Sequence, residues 1–196
     1  MSDSDRTASL ADVTYLTGHL LIAMPAMADP NFTRTVTYIC EHNDSGALGI
    51  VINRPLQMDL GEVFEQLSLE SADVGLARQP VLRGGPVQTE RGFVLHEPTR
   101  AWDSTVEVSE TVHLTTSQDI LTAMAQGTGP KRAIMALGYA GWGAGQLELE
   151  IGANAWLSVP ASPAIVFETP FEARWTAAAG LLGINLATIS SEAGHA

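Results

Sequence analysis

The sequence predicts an α+β domain built on one mixed β-sheet, and three observations support that prediction. Its 196 residues are about the length of one domain. Short runs rich in β-branched and aromatic residues are interleaved with segments that carry an apolar stripe at helical spacing. The spacing of the strands is irregular and hairpins stand beside crossovers, which favours a mixed sheet over a doubly wound parallel one.

The first quarter of the chain predicts three strands and a turn. Residues 20–24 form a short buried strand that Pro25 closes. Asp29-Pro30 is typical of a brief helical turn with proline at its first position. Residues 36–40 and 47–52 are β-rich runs joined by a polar segment that contains glycine, and they therefore predict a hairpin.

The clearest helix of the sequence begins at Asp59. Asp59 is a good N-cap, and Glu62 follows three positions later, as in a capping box. Apolar residues then recur at helical spacing, namely Leu60, Val63, Phe64 and Leu67. A single stripe of this kind predicts a helix that packs on the sheet.

The middle of the chain predicts three more strands and a second helix. The strands are residues 81–83, 91–96 and 107–114. The polar run Thr116-Ser117-Gln118-Asp119 is typical of a helix start, and apolar residues follow it at positions 120, 121 and 124.

A glycine-rich stretch interrupts the next part of the chain. Residues 131–137 predict a buried strand that ends where this stretch, residues 138–145, begins. Residues 146–155 fit a strand as well as a helix, and we take them as a helix.

The C-terminal part predicts two strands and a final helix. Residues 156–159 and 164–167 are the strands, separated by prolines. Thr169-Pro170-Phe171-Glu172 predicts a helix start, and Gly183 predicts its end. The predicted buried face of this helix consists of Phe171, Trp175, Ala178 and Leu182.

The charge of the chain argues against binding to nucleic acid. Its 22 acidic and 10 basic side chains give a formal charge of −12. A protein that makes about 6 to 10 phosphate contacts needs as many cations on one face. The only lysine is Lys131, the nine arginines are scattered, and Lys131-Arg132 is the sole adjacent basic pair. We therefore expect no autonomous binding of DNA or RNA.

Other features of the sequence bear on its compartment. The longest apolar runs fall well short of the roughly 20 residues that span a bilayer, and the acidic N-terminus lacks the features of a secretory signal. Cys40 is the only cysteine, so the chain forms no internal disulfide. We therefore expect a cytoplasmic protein without a membrane segment.

Several blocks of sequence, taken in order, resemble one family of bacterial proteins. They are Leu21-Ile22-Ala23-Met24-Pro25, Asp29-Pro30-x-Phe32, Tyr38-Ile39-Cys40-Glu41-His42, Gly84-Gly85-Pro86, Arg91-Gly92-Phe93-x-Leu95-His96, Ala136-Leu137-Gly138-Tyr139-Ala140-Gly141-Trp142, Gly145-Gln146-Leu147-Glu148, Asn154-Ala155-Trp156-Leu157 and Arg174-Trp175. This set resembles the AlgH/YqgE family, and the similarity begins near residue 16.

The resemblance carries implications for fold more than for function. It implies a mixed, bifurcated β-sheet curled into a pseudo-barrel with flanking helices. It also implies a single domain over residues 16–196. Residues 1–15 fall outside the resemblance, and their sequence predicts an acidic, mobile N-terminal arm. It implies no activity, cofactor or catalytic residue. The label of transcriptional regulator that some members carry reflects a phenotype rather than a mechanism.

The glycine-rich stretch is the first candidate for a functional site. It lacks the lysine and hydroxyl of a P-loop and the glycine spacing of a dinucleotide site. Tyr139 and Trp142, set among Gly138 and Gly141, predict instead a flat apolar turn that holds a ligand or a partner. The alternative is a tight connection whose glycines allow close packing.

Cys40 and His42 are the second candidate. Two residues apart on a strand, they are expected on the same side of the sheet at about 6 to 7 Å. A thiolate–imidazole pair is the functional interpretation, although this spacing is long for the hydrogen bond that activation requires. A small buried cysteine next to a turn histidine is the structural one.

Metal and hydrolase sites have weaker support. A metal would require Glu41, His42, His96 and Glu97 to converge from separate strands, without an HExxH helix or paired cysteines. No G-x-S-x-G elbow surrounds Ser117, and helix capping explains both Ser117 and Asp119. We therefore expect no catalytic residue, no metal and no cofactor.

Together these patterns favour a noncatalytic protein that binds a protein partner or a small ligand and affects regulation indirectly. The candidate surface consists of Gly138, Tyr139, Gly141, Trp142, Cys40 and His42. Two alternatives stay open: an enzyme that uses Cys40 or His42 on a small molecule, and a regulator that binds DNA directly.

Overall fold

The computed structural model describes residues 14–192. Its strands are β1 (His19–Ala23), β2 (Val36–Asn43), β3 (Gly46–Val51), β4 (Pro55–Asp59), β5 (Pro80–Arg83), β6 (Val87–His96), β7 (Thr105–Glu107), β8 (His113–Thr115), β9 (Ala133–Gly143) and β10 (Trp156–Pro160). Its helices are α1 (Leu60–Gln66), α2 (Val74–Ala77), α3 (Asp119–Ala125), α4 (Gln146–Gly152), α5 (Pro163–Phe167), α6 (Arg174–Gly180) and α7 (Leu186–Glu192), with a 3₁₀ turn at Phe171–Ala173 before α6.

The ten strands form one sheet that branches at β9. Its main path runs β10-β1-β2-β3-β9-β6-β8-β7. Ala136 of β9 pairs with Phe93 of β6 and, on its other edge, with Leu82 of β5, which runs parallel to β9. Further along, Ala140 pairs with Gly49 of β3. One edge of β9 therefore changes partner from β5 to β3, and the mixed, bifurcated sheet curls into a half-barrel with flanking helices, as expected for this fold class.

Three apolar clusters hold the helices onto the sheet. The largest lies between the sheet and the α5–α6 segment and includes Tyr38, Phe93 and Trp175. A second lies beneath α1 and α3, and a third beneath α4. The Trp175 indole fixes α6 to β1, because its Nε1 donates a hydrogen bond to the backbone oxygen of Ala23 at 2.9 Å.

Several local predictions are confirmed. β2 and β3 form the expected antiparallel hairpin, closed at Asn43 and Gly46. The capping box at α1 is complete, because Asp59 accepts from the Glu62 backbone and Glu62 accepts from the Asp59 backbone, both at 2.9 Å. The ambiguous segment after residue 145 forms helix α4.

Other local predictions are wrong. Residues 164–167 lie in helix α5, where Pro163 occupies the first turn; a short apolar run of this kind does not distinguish helix from strand. α6 ends at Gly180, and Leu182, expected in the core, is 40% exposed beyond that end. The predicted strand 107–114 is divided into β7 and β8 by a turn.

Two predictions concern segments and membranes. Residues 1–13 of the predicted acidic arm lie outside the described residues, and the extent of the single domain stays a prediction. Within residues 14–192, every helix is too short or too polar to cross a bilayer.

Candidate functional site

The glycine-rich stretch lies in a strand rather than in a turn. β9 continues to Gly143, so the predicted strand end at Leu137 is wrong. Gly138 has φ +77°, and a Cβ there would lie 2.5 Å from the backbone oxygen of Gly85. A Cβ on Gly85 would lie 2.1 Å from the carbonyl carbon of Tyr139, and one on Gly84 would lie 2.3 Å from the Gly138 oxygen. We call this contact the glycine crossing (Gly84, Gly85, Gly138), and close backbone packing explains its glycines.

Tyr139 and Trp142 do not form one flat apolar face. They are three positions apart on β9, so their side chains point to opposite sides of the sheet. Tyr139 packs edge-on against Phe93 in the largest cluster, with the ring centroids 5.7 Å apart. Trp142 is only 6% exposed and lies in the cluster beneath α4.

The aromatic residues beneath α4 pack against one another, and two of them donate hydrogen bonds to one carboxylate. Phe32 lies 6.2 Å from Trp142 and 5.5 Å from Trp156, measured between ring centroids. Glu150 Oε2 accepts from both indoles, at 2.8 Å from Trp142 and 2.9 Å from Trp156. Both buried indole N–H groups therefore have their acceptor within the fold.

One shallow groove is the geometric support that the structure gives for the predicted ligand surface on this stretch. Parts of Tyr139, Gly141 and Trp142 line a shallow groove beside the β2–β3 hairpin, with Glu41 and Leu48 opposite. A ligand or partner surface that includes Gly138, Tyr139, Gly141 and Trp142 stays a prediction, but the aromatic turn that motivated it is absent from β9 as the structure describes it.

Cys40 and His42 lie apart, contrary to the expected shared face. A β-bulge between Ile39 and Glu41 interrupts the alternation of side chains along β2. Cys40 therefore packs with Tyr38 in the largest cluster, where it is 4% exposed. Burial raises the pKa of the Cys40 thiol well above its ordinary range, and the neighbouring Glu41 charge adds to that effect. Cys40 is therefore an unreactive thiol rather than an activated thiolate.

His42 joins β2 to α4. Its Nε2 donates to Glu148 Oε1 at 2.7 Å, and its Nδ1 accepts from the backbone N–H of Leu16 at 3.0 Å. The ring also packs edge-on against Tyr15 at 5.2 Å. Both ring nitrogens make hydrogen bonds within the fold. His42 therefore anchors the start of the described chain to β2 and α4.

His96 is the second buried histidine, on β6. Its Nδ1 donates to the backbone oxygen of Glu97 at 2.9 Å, so its Nε2 is the acceptor for the Thr115 hydroxyl at 2.8 Å. Desolvation lowers the pKa of His96 and outweighs the opposing backbone hydrogen bond. Among residues 14–192, no three His, Cys, Asp or Glu side chains are grouped so as to hold a metal ion.

A cleft between α1 and α3 is a concave site that the sequence did not predict. Its volume is about 440 Å³. We call it the amphipathic cleft, because its floor is apolar and its rim is polar. The apolar residues are Met58, Val63, Leu67, Val94, Leu121, Met135 and Leu137. The polar ones are Gln66, Thr89, Glu90, Arg91, Thr115, Thr116, Ser117 and Gln118.

An irregular segment of β6 forms one side of that rim. β6 advances from Val87 to Gly92 while its partner β9 advances only from Leu137 to Tyr139, so residues 88–91 bulge out of the ladder. Gln88 has φ +46°, which is uncommon for a residue with a side chain. Such bulges redirect side chains and occur often beside binding sites.

The charges on the rim balance. The bulge contributes one carboxylate, Glu90, and one guanidinium, Arg91, and both residues are exposed. The remaining polar groups on the rim are hydroxyls and amides. This arrangement is suited to a ligand without net charge.

Sequence reasoning identified parts of this cleft without combining them. Val63, Leu67 and Leu121 were correctly placed on apolar helix faces, but an apolar face predicts burial and not the space left between two helices. The polar run from Gln88 to Arg91, next to a predicted strand, was the only signal of the bulge.

Comparison with known proteins gives one consistent result at the level of sequence. The model of the AlgH-like family matches residues 20–187. A UPF0301 protein of Thioalkalivibrio sulfidiphilus is 58% identical over 180 residues, which are 92% of this chain and 96% of the relative. A UPF0301 protein of Nitrosospira multiformis is 55% identical over 181 residues, 92% of this chain and 97% of the relative.

Solved structures agree with the sequence comparison. The solution structure of the AlgH protein from Pseudomonas aeruginosa matches with a TM-score of 0.76 and 51% identity, and covers 100% of both chains. A crystal structure of a protein from Corynebacterium diphtheriae matches with a TM-score of 0.63 over 79% of this chain and 80% of the other. Its identity of 20% supports the fold alone.

Proposed function

This chain belongs to the AlgH-like family, and we propose that it binds a small, largely apolar molecule without net charge in the amphipathic cleft, without catalysing a reaction on it. The observation that carries the proposal is the combination of a continuous apolar floor with a charge-balanced polar rim in one cleft of about 440 Å³. Binding sites for small molecules have this size and this distribution of polarity.

The floor supports an adaptable fit. Two of its residues, Met58 and Met135, have flexible thioether side chains that fill irregular spaces. Next to them Gly92 has no side chain, and a Cβ there would meet only the flexible end of Met135 at 3.0 Å. The cleft wall is therefore able to adjust to ligands of somewhat different shape.

Two hydroxyl groups of the cleft, those of Thr115 and Ser117, are engaged in hydrogen bonds within the fold, which argues against their use as nucleophiles. The Thr115 hydroxyl donates to His96 but belongs to a fully buried residue, so a substrate has no access to it. Ser117 Oγ donates to Asp119 Oδ1 at 2.5 Å, and its oxygen also accepts from the Ser104 backbone at 3.0 Å. Ser117 therefore holds the start of α3 in place, and Thr115 links β8 to His96 of β6.

The expected affinity is modest. A ligand of about 20 non-hydrogen atoms, at about 0.3 kcal/mol per atom, gains about 6 kcal/mol, which corresponds to a Kd of tens of micromolar. A regulatory effect would require that the protein behaves differently with and without a molecule in the amphipathic cleft.

A fluorescent probe tests the proposal directly. We expect N-phenyl-1-naphthylamine, a neutral apolar dye, to bind with a gain in fluorescence that saturates at one site. Leu67→Trp fills the cleft from the end of α1, so it should abolish this gain. The matched control is Leu149→Trp on α4, where Leu149 is 76% exposed and outside the cleft. Equal dye binding by the two variants would refute the assignment of the cleft.

The proposal includes a location in the cytoplasm. Support comes from Cys40, a single buried thiol with no cysteine in the chain to pair with. Fractionation of the host cell with an antibody to the chain tests this, and recovery with the periplasmic or secreted fraction would contradict it.

A further inference from the structure

A second, smaller cleft lies between the start of β9 and the beginning of α6. Its volume is about 230 Å³. We call it the cationic cleft, because three of its lining residues are Lys131, Arg132 and Arg174 and none of its lining residues carries a carboxylate. This concentration is unusual for a chain that has 10 basic and 22 acidic side chains.

Arg174 is a buried cation without an anionic partner. The residue is 2% exposed, and its Nε and Nη1 donate to the backbone oxygens of Thr169 and Ile52 at 2.8 and 2.6 Å. Within residues 14–192, no carboxylate lies within 4.0 Å of its nitrogens and its Nη2 makes no hydrogen bond. A buried charge that lacks a counter-ion is costly, so an anion at this position is favourable.

The other two cations of the cleft differ from each other. Arg132 is already neutralised, because its Nε and Nη1 contact Glu97 and Glu168, both at 3.2 Å. Lys131 is exposed, and its ammonium forms no ion pair with the described part of the chain. Lys131, Arg132 and Arg174 carry three positive charges against the two carboxylates of Glu97 and Glu168, so one net positive charge remains beside the cleft, and neither Lys131 nor Arg174 has an ion-pair partner within residues 14–192.

The walls of the cleft indicate what kind of anion fits. Phe167 and Phe171 line it, and the Arg174 guanidinium carbon lies 4.5 Å from the Phe171 ring centroid. Leu60 and Ile134 extend the apolar wall. We infer that the cationic cleft binds a small organic acid, with its carboxylate on Arg174 and Lys131 and its hydrocarbon body against these apolar residues.

The protonation of Arg174 is compatible with this role. Burial lowers the pKa of the guanidinium to about 10, so the group keeps its charge at neutral pH. A carboxylate bound next to it would offset that burial.

Benzoate is a suitable probe, because it combines one carboxylate with one apolar ring and is small enough for the cleft. In a titration of amide resonances at low salt, we expect benzoate to shift residues 131–135 and 167–174, and its neutral analogue benzamide to shift them at least tenfold less at the same concentration. Shifts confined to the amphipathic cleft would overturn the inference while leaving the proposed function untouched. Inorganic phosphate that binds as tightly as benzoate would overturn the assignment to organic acids.

Variants test which charges act. Lys131→Gln should weaken benzoate about fivefold, as loss of one exposed charge contact predicts. Arg100→Gln is the matched control, because it removes the same charge from an exposed position outside the cleft and should leave the affinity unchanged. Arg174→Met, if folded, should weaken benzoate more than tenfold. Should Arg174→Met fail to fold, the comparison of Lys131→Gln with Arg100→Gln decides, and equal affinities in those two would refute the inference.

Discussion

The two halves of β9 differ in what covers them. Over Gly138–Gly143 the strand crosses another backbone at glycines and packs beneath α4, where Glu150 satisfies both buried indoles. Over Ala133–Leu137 it is the floor between α1, α3 and the C-terminal helices, and two clefts lie beside it. In the second half the Trp142 indole has its acceptor within the fold, whereas the first half lies beside apolar side chains and beside Lys131 and Arg174, which have no ion-pair partner among the described residues, and these are features that a ligand can use.

We call Gly138–Gly143 the closed half of β9 and Ala133–Leu137 the open half. Substitutions in the closed half are predicted to lower mainly the stability of the protein. The largest effect is expected for Gly138→Ala, which meets the Gly85 oxygen at 2.5 Å and requires φ +77° of a residue with a side chain. We expect a loss of about 4 kcal/mol or more in the free energy of unfolding, measured by urea denaturation. Gly141→Ala on the same strand is the control, since its nearest contact of 3.4 Å is ordinary and its cost should stay below about 1 kcal/mol. Similar losses in both variants would disprove the role of the glycine crossing.

A smaller loss is expected for Glu150→Ala. Two buried indole N–H groups, of Trp142 and Trp156, then lose their acceptor, at a cost of about 2 to 4 kcal/mol in the free energy of unfolding. Glu150→Gln keeps an amide oxygen as acceptor and should recover at least half of that loss. Alanine and glutamine variants of equal stability would show that the carboxylate is not the link between the two rings.

The smallest expected effect is on the pH dependence of the free energy of unfolding. It involves His96, which pairs with Ala133 at the open half of β9. The pKa of His96 lies below its ordinary value in the folded protein, so the unfolded chain takes up a proton first as the pH falls. This contribution to stability is complete above about pH 6.5 and is lost as the pH falls below it, with a slope approaching about 1.4 kcal/mol per pH unit.

The non-titrating variant His96→Gln isolates that contribution. Its free energy of unfolding should fall less steeply between pH 6.5 and 5 than that of the unchanged chain, as followed by urea denaturation at each pH. Parallel pH profiles for the two proteins would rule out His96 as the group responsible.

The sequence was informative where local chemistry decides structure. The capping box at Asp59, the hairpin between β2 and β3 and the helix after Gly145 were each predicted from neighbouring residues and are present. The family and its curled, bifurcated sheet were also recognisable, from blocks of sequence spread along the chain.

The sequence failed where distant segments decide structure. The bulge in β2 that separates Cys40 from His42 and the bulge at residues 88–91 depend on partner strands, so alternation along one strand did not reveal them. Gly138 looked like part of a turn because nothing near it in sequence shows that Gly85 crosses there. Both clefts result from the spacing between helices and the sheet, a quantity that no single segment encodes.

The glycine crossing also limits how this chain can be redesigned. A methyl group at Gly84, Gly85 or Gly138 would collide with main-chain atoms of the other segment. Trimming a neighbouring side chain relieves a side-chain collision, but main-chain atoms cannot be trimmed, so second-site suppressors of these substitutions should be scarce in a randomised library. Engineers who wish to diversify the clefts are therefore free to vary their rims, provided that these three positions stay fixed.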